Sequence, residues 1–202
     1  MIRITNFARG ARGLRLAWQC EEMGLAYETA FVGYPPPAEY LAKNPLGNVP
    51  FLEDEGGVAI NESAAIMLFL ANRYGPTPLL PRAPALNARV TQLTVYAEAT
   101  FGAGANTLMV AHFGAPDAEK KNWSVRMQEE AAERSLAYLV NVLGGGAFLV
   151  GDDLTLADIA IATGLGMYKG ALGKELPQQL VDWRAKLAER PAYQRAAQRT
   201  QG

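Results

Sequence analysis

The sequence predicts an α/β N-terminal region followed by an all-helical C-terminal region. Over roughly the first 75 residues, the apolar spacing alternates between strand and helix periods in the order β-α-β-α-β-β-α. Beyond the proline-rich stretch 75–81 the pattern is helical throughout. We therefore divide the chain into an α/β domain at 1–77, a linker at 78–85 and a helical domain at 86–202.

The first three elements form a βαβ unit. Apolar residues alternate with polar ones at 2–7, which predicts a strand, and they recur at helical spacing through 13–24. Residues 26–32 predict a second strand. Such a unit implies a parallel strand pair with a right-handed crossover.

The remaining N-terminal elements are a short helix, a hairpin and an apolar helix. Residues 38–43 predict the short helix, and 50–53 and 58–60 predict two strands. The strands are joined by Asp54-Glu55-Gly56-Gly57, a sequence typical of a hairpin turn. A strongly apolar helix is predicted at 61–74.

The C-terminal region contains long helical patterns at 85–112 and 117–143, the first interrupted near Gly102 and Gly104. Thr155 and Asp158 are three residues apart, the spacing of a capping box at a further helix start. Two prolines suit the first turns of later helices, Pro177 and Pro191.

Composition excludes several function classes. With 19 basic and 20 acidic residues the net charge is −1, so no basic excess favours nucleic acid or an anionic membrane. A single Cys cannot form an internal disulfide, and one Cys with one His argues against a metal site. The longest apolar run, 64–71, is too short for a bilayer span of about 20 residues, and residues 1–10 lack the apolar stretch that we would expect of a signal peptide. We expect a cytoplasmic protein.

A first candidate site lies where a proline opens a strand. Pro50 has no N–H to give a sheet, and it holds Val49 in an extended conformation. A trans Val49–Pro50 bond is the ordinary alternative, because only about 5–6% of X–Pro bonds are cis. A cis bond would turn the Val49 N–H and C=O outward, toward the backbone of a ligand.

A second candidate site is the start of the apolar helix. A helix N-terminus has free N–H groups and a partial positive charge, so with the Ser63 hydroxyl it suits a carboxylate. Glu62 beside it suits an ammonium group. Together they would fit an α-amino acid group, although a simple helix cap is the plainer interpretation.

Considered together, these segments resemble the glutathione S-transferase family. The loop Asn44-Pro45-Leu46-Gly47-Asn48-Val49-Pro50-Phe51-Leu52, the hairpin and Glu62-Ser63-Ala64-Ala65-Ile66 are similar to its glutathione-binding half. Two further segments are similar to its first helix with second strand and to its C-terminal folding motif, namely residues 14–28 and 149–159.

The resemblance implies a thioredoxin-like N-terminal domain, an all-helical C-terminal domain, glutathione as co-substrate and a homodimer. It places Val49, held by a cis Pro50, against the cysteinyl backbone of glutathione. It assigns Glu62 and Ser63 to the γ-glutamyl amino and carboxylate groups, and Asn48 to the glycyl end or the loop backbone.

The chain departs from the family at the thiol-activating residue. That residue is a Tyr, Ser or Cys after the first strand, but residues 6–13 contain no hydroxyl or thiol. We select Arg9 as the group that stabilises the thiolate. Asn6, Arg12 and the N–H groups opening the first helix are the alternatives. We expect Cys20 to be buried in that helix, which argues against a glutaredoxin-like redox activity.

Two functions remain open. The first is a glutathione transferase with a detoxification role, in which the thiolate attacks, or helps isomerise, a small apolar electrophile. The second is a non-catalytic binding or interaction protein that keeps the fold. For the enzyme, we expect the electrophile to lie between the domains, against residues of the helical domain: Tyr96, Phe101, Met109, Phe113 and Tyr168.

Overall fold

The computed structural model describes residues 1–8 and 12–202. They form two compact units, Met1–Leu80 with Lys186–Gly202, and Pro81–Ala185. The predicted thioredoxin-like region and helical region are confirmed. The predicted boundaries at 77 and 86 stay a prediction, and the last residues of the chain pack with the α/β unit. Among the described helices, none is long and apolar enough to cross a membrane.

The α/β unit is built on a four-stranded mixed sheet. Its strands are β1 (Ile2–Asn6), β2 (Tyr27–Phe31), β3 (Phe51–Asp54) and β4 (Val58–Ile60), in the order β2-β1-β3-β4. β1 pairs with β2 in parallel, as the βαβ prediction required, and the other pairs are antiparallel.

The helices of this unit cover both faces of the sheet. Ile4 and its register partner Leu52 are buried on the face where α1 (Gly13–Met23) packs against β1 and α3 (Ser63–Arg73). On the other face, α2 (Ala38–Lys43) places the ring of Tyr40 6.1 Å from that of Phe51. The alternation of β1 side chains between faces thus determines which helix each strand residue meets.

The C-terminal helix of the chain, α9 (Pro191–Arg199), packs against α1. Arg190 makes two hydrogen bonds with the Glu22 carboxylate, at 2.7 and 2.9 Å, and Arg195 donates to Glu21 at 2.6 Å. Burial alone would raise the pKa of each glutamate. The hydrogen bonds and charges of the arginines outweigh burial, so the pKa of each glutamate is lowered overall. Ion pairs therefore hold the C-terminal segment of the chain against α1.

The helical unit corresponds to the long stretches in which apolar residues recur at helical spacing. Its helices are α4 (Pro84–Tyr96), a π-helical segment (Ala97–Gly102), α5 (Ala103–Gly114), α6 (Trp123–Leu143), α7 (Leu156–Leu172) and α8 (Gln178–Ala188). The predicted interruption is the π-helical segment, in which a side chain on Gly102 would meet the Ala97 carbonyl at 2.6 Å. The prediction of helix from 117 was wrong, because Asn122 caps α6 by accepting from the Val125 N–H at 3.0 Å.

The capping box predicted at the start of α7 is confirmed. The buried Asp158 carboxylate accepts from the Thr155 N–H at 2.8 Å and the Thr155 hydroxyl at 2.7 Å. It also accepts from the Leu149 N–H at 2.7 Å, so it anchors the preceding loop to the helix. Burial raises the pKa of Asp158 to about 6, against the lowering effect of these hydrogen bonds.

We expect Asp158→Ala to reduce the free energy of unfolding by about 3 kcal/mol, because two buried N–H groups lose their acceptor. Asp158→Asn keeps an acceptor and should cost less.

The pH dependence of stability gives a second test of Asp158. Its pKa in the folded chain lies above the unfolded value of 3.8, so as the pH falls the folded chain takes up this proton before the unfolded chain does. The wild type should therefore gain stability relative to Asp158→Asn as the pH falls from 7 to 5. Urea unfolding at both pH values measures this, and a constant difference would contradict it.

Candidate functional site

The loop before β3 presents an unused stretch of main chain. The Val49–Pro50 peptide bond is cis, as the family resemblance implied, and Pro50 is buried at the start of the strand. Within residues 1–8 and 12–202, the N–H and C=O of the half-buried Val49 make no hydrogen bond. A ligand with its own peptide group can pair with both.

A network of amide side chains holds this loop beside the start of α3. The buried Asn44 donates to the Asn48 carbonyl at 2.8 Å and to the Asn48 side-chain oxygen at 3.0 Å. Tyr40 donates to the same carbonyl at 2.6 Å. Asn61 donates to the Asn44 side chain at 3.1 Å, which ties the loop to the residue before Glu62. Two of the predicted site segments are therefore brought together.

The start of α3 has an unusual backbone. Glu62 is exposed and has φ of 68°, the one positive φ among the described non-glycine residues. Its carbonyl accepts the first helical hydrogen bond, from the Ile66 N–H at 2.9 Å. Ser63 follows as the first helical residue and is buried. The N–H groups of the first turn are left for an anion.

Two polar contacts join α1 to α3. Arg15 donates from Nη1 to Ser63 Oγ at 3.1 Å, and one turn later Gln19 donates to the Met67 carbonyl at 2.9 Å. Both partners advance by four residues, so the helices run in the same direction and their N-termini lie side by side.

This end of the α/β unit carries concentrated positive charge. Burial lowers the pKa of the half-buried Arg12, and attraction to Glu62 partly offsets that effect. Burial, and then the charge of Arg12, lower the pKa of Arg15 to about 9, so Arg15 is protonated at neutral pH. With two helix N-termini beside two arginines and one glutamate, the site favours an anionic ligand that also carries an ammonium group.

The predicted thiol-stabilising residue, Arg9, lies outside the described residues, as do Gly10 and Ala11. Asn6, one alternative, is buried at the end of β1, where its side-chain oxygen accepts from the Gly13 N–H at 3.2 Å. Its amide nitrogen has no partner among the residues described. Cys20 is buried in α1 as predicted, and burial first of all raises its pKa to about 12, so it is not a reactive thiol.

The five residues predicted to contact an electrophile belong to the helical unit and differ in surroundings. Phe101 and Tyr168 are buried with ring centroids 5.5 Å apart. Tyr96 pairs with Tyr138, outside the predicted set, at 5.2 Å. Met109 is half-buried, and Phe113 is 70% exposed. Their role in binding stays a prediction.

The sequence prediction missed Arg15 and Asn44 as parts of the site. Arg15 lies three and four residues before the buried Trp18 and Gln19, hence on the same face of α1. A charged residue on the buried face of a helix was the available signal. For Asn44, a polar residue between a short helix and a Pro–Gly loop gave no signal beyond turn chemistry.

The chain belongs to the glutathione S-transferase family. The family model of the N-terminal domain matches residues 12–73, and that of the C-terminal domain matches 105–195. In the solved structure of a glutathione transferase from Pseudomonas putida, one glutathione disulfide is bound per subunit. That structure shares the fold, with a TM-score of 0.82 at 22% identity over 97% of this chain and 90% of its own.

Relatives with different names match the sequence. Glutathione S-transferase GstB of Escherichia coli is 28% identical, with 87% of each chain covered. An uncharacterised GST-like protein of Streptococcus mutans is 29% identical over 79% of this chain and 64% of its own length. Human elongation factor 1-gamma is 32% identical over 66% of this chain and 30% of its length. The chain thus spans under two thirds of the last two.

We expect Glu62→Gly to be about 1 kcal/mol more stable than Glu62→Ala, because glycine adopts a positive φ without the side-chain clash. Both substitutions remove the carboxylate near Arg12, so their difference isolates the backbone effect. Guanidinium unfolding of the two variants measures it. An alanine variant as stable as the glycine variant would contradict the expectation.

Proposed function

We propose that this chain binds glutathione at the site formed by Asn48, Val49, Pro50, Glu62 and Ser63. The N–H and C=O of Val49 pair with the cysteinyl peptide, as an added strand would. The Ser63 hydroxyl and the first turn of α3 receive the γ-glutamyl carboxylate, and Glu62 receives the ammonium group. Asn48 lies toward the glycyl end, with its side-chain oxygen already used by Asn44.

The observation that carries this proposal is the position of Asn44. Through one side chain it contacts both Asn48 and Asn61, so the free main chain of Val49 and the helix tip at Ser63 lie on the same side of the unit. A peptide ligand with an amino-acid head needs both features at once. A capped helix alone, or an edge proline alone, would not need this connection.

For the reaction, we propose attack of the glutathione thiolate on a small apolar electrophile. The thiol gives up its proton to solvent, the sulfur forms the new bond to carbon, and the leaving group departs with its electron pair. In an isomerisation the carbon–sulfur bond breaks again, and the sulfur takes a proton from solvent to return the thiol. Arg9 is our candidate for stabilising the thiolate, and Tyr96, Phe101, Met109, Phe113 and Tyr168 for contacting the electrophile. The proposal includes a cytoplasmic homodimer with a detoxification role, supported by the family resemblance.

The alternative is a protein that keeps the fold and binds ligands or partners without catalysis. Two observations favour it. Residues 6–13 contain no hydroxyl or thiol. In addition, one relative is named as an elongation factor and not as a transferase. Under this alternative the chain should bind glutathione or a protein partner, with no conjugating activity.

We expect calorimetric titration to show glutathione binding, and Ser63→Ala to weaken it at least about tenfold through loss of a hydrogen bond to a carboxylate. Ser135→Ala is the matched control, because Ser135 is also buried but lies in α6 of the helical unit. It should leave the affinity unchanged. Absence of binding by the parent chain would exclude the glutathione site and favour a protein partner.

We expect conjugation of glutathione to a chlorodinitrobenzene-type acceptor to be slow, with kcat about 100-fold below that of a relative that donates a hydroxyl hydrogen bond to the thiolate. Steady-state rates at saturating glutathione measure this. The noncatalysed reaction at the same pH is the control. A kcat equal to that of such a relative would show that another group performs the missing step.

A further inference from the structure

Arg15 is a cation in the interior of the α/β unit. It is 1% exposed, and its partner Ser63 is 2% exposed. Removing a guanidinium from water is costly unless its hydrogen-bonding groups are engaged. Within α1 the neighbouring buried positions are occupied mainly by apolar side chains such as Leu16 and Trp18. An arginine at this position therefore calls for a reason beyond packing.

The direction of the Arg15–Ser63 hydrogen bond supplies that reason. A guanidinium has only donors, whereas a serine hydroxyl has one proton and two lone pairs. At 3.1 Å, Ser63 Oγ must therefore accept from Arg15, and its own proton must point elsewhere. In the described part of the chain, that proton has no acceptor.

The surroundings limit what accepts the proton. Ser63 is the first residue of α3, so the hydroxyl proton lies beside main-chain N–H groups that also need an acceptor. Arg12 and Arg15 add positive charge at the same end of the unit. A carboxylate has two oxygens that accept from both the hydroxyl and an N–H, and its charge matches the site.

The position of Arg15 is itself held by the pairing of α1 with α3. Gln19, one turn further along α1, bridges to the Met67 carbonyl, one turn beyond Ser63. This second contact keeps the two helices in register without touching the Ser63 hydroxyl. Of these two described contacts, the Arg15–Ser63 hydrogen bond reaches the site and the Gln19–Met67 hydrogen bond does not.

We propose that Arg15 is a positioning residue that directs the Ser63 hydroxyl proton toward the bound α-carboxylate, so that the site selects γ-glutamyl peptides with a free α-carboxylate. This inference rests on the proposed glutathione site and deepens it. Arg15 does not touch the ligand. It acts by offering Ser63 only donors, which leaves the hydroxyl one orientation useful for binding.

The test compares two ligands by calorimetry with the full chain: glutathione, and 4-aminobutyryl-cysteinyl-glycine, which lacks the α-carboxylate. The wild type should prefer glutathione at least about tenfold. Arg15→Lys keeps a donor-only cation and should keep most of that preference. Arg15→Gln can accept as well as donate, so it lets the hydroxyl proton turn inward, and the preference should fall at least about fivefold, to what the α3 N–H groups supply.

Three further variants separate positioning from a merely structural role. Ser63→Ala, which leaves Arg15 in place, should lower the preference as far as Arg15→Gln does. Adding Arg15→Gln to Ser63→Ala should change it no further. Ser135→Ala, which removes a buried hydroxyl of the helical unit, should leave the preference intact. Circular dichroism confirms that each variant is folded.

Each result decides the matter. Retention of the preference in folded Arg15→Gln or in Ser63→Ala, or its equal loss in Arg15→Lys, Arg15→Gln and Ser135→Ala, would overturn the role of Arg15. A wild type that binds glutathione without discriminating between the two ligands would also overturn it, while leaving the proposed function intact. A wild type that does not bind glutathione would overturn the proposed function and this inference together.

Discussion

The parallel pairing of α1 with α3 is the constraint on which the site depends. Arg15 and Gln19 each reach the partner helix one turn apart, and this register brings two helix N-termini to one end of the unit. Like poles side by side repel each other, and a buried guanidinium adds to the same charge. Glu62 offsets part of it. A bound carboxylate would offset more, so the fold itself favours an anionic ligand at this end.

The loop opposite the helix tip is held in a different manner. Asn44, Asn61 and Tyr40 fix its main chain through neutral hydrogen bonds, which add no charge near the arginines. Because Tyr40 and Asn44 donate to the Asn48 carbonyl, and Asn61 donates to Asn44, the next peptide is held while the N–H and C=O of Val49 stay open among the described residues. Rigid neighbours around an open main-chain edge lower the entropy cost of binding a peptide.

Sequence patterns predicted those parts of the fold that local periodicity determines. The strand and helix order at 2–74 and the capping box at Thr155 and Asp158 follow from spacing alone. Periodicity shows which face of a helix is buried but not what it meets. Periodicity therefore could not predict that α9 packs on α1 through Arg190 and Arg195. It also could not predict the contact between Arg15 and Ser63, which are 48 residues apart in sequence.

The difference between an enzyme and a binding protein on this framework depends on how a thiolate is stabilised. A free thiol with a pKa of about 8.5 is only a few per cent ionised at neutral pH, and nearby positive charge lowers that pKa. The helix tips and arginines of this end supply charge that acts over several ångströms, without a hydroxyl group. Charge alone makes a thiolate more abundant but does not aim it, because aiming requires a directional hydrogen bond. Under the proposed function, the chain therefore retains ligand affinity while the rate of attack depends on whether Arg9 or Asn6 supplies that bond.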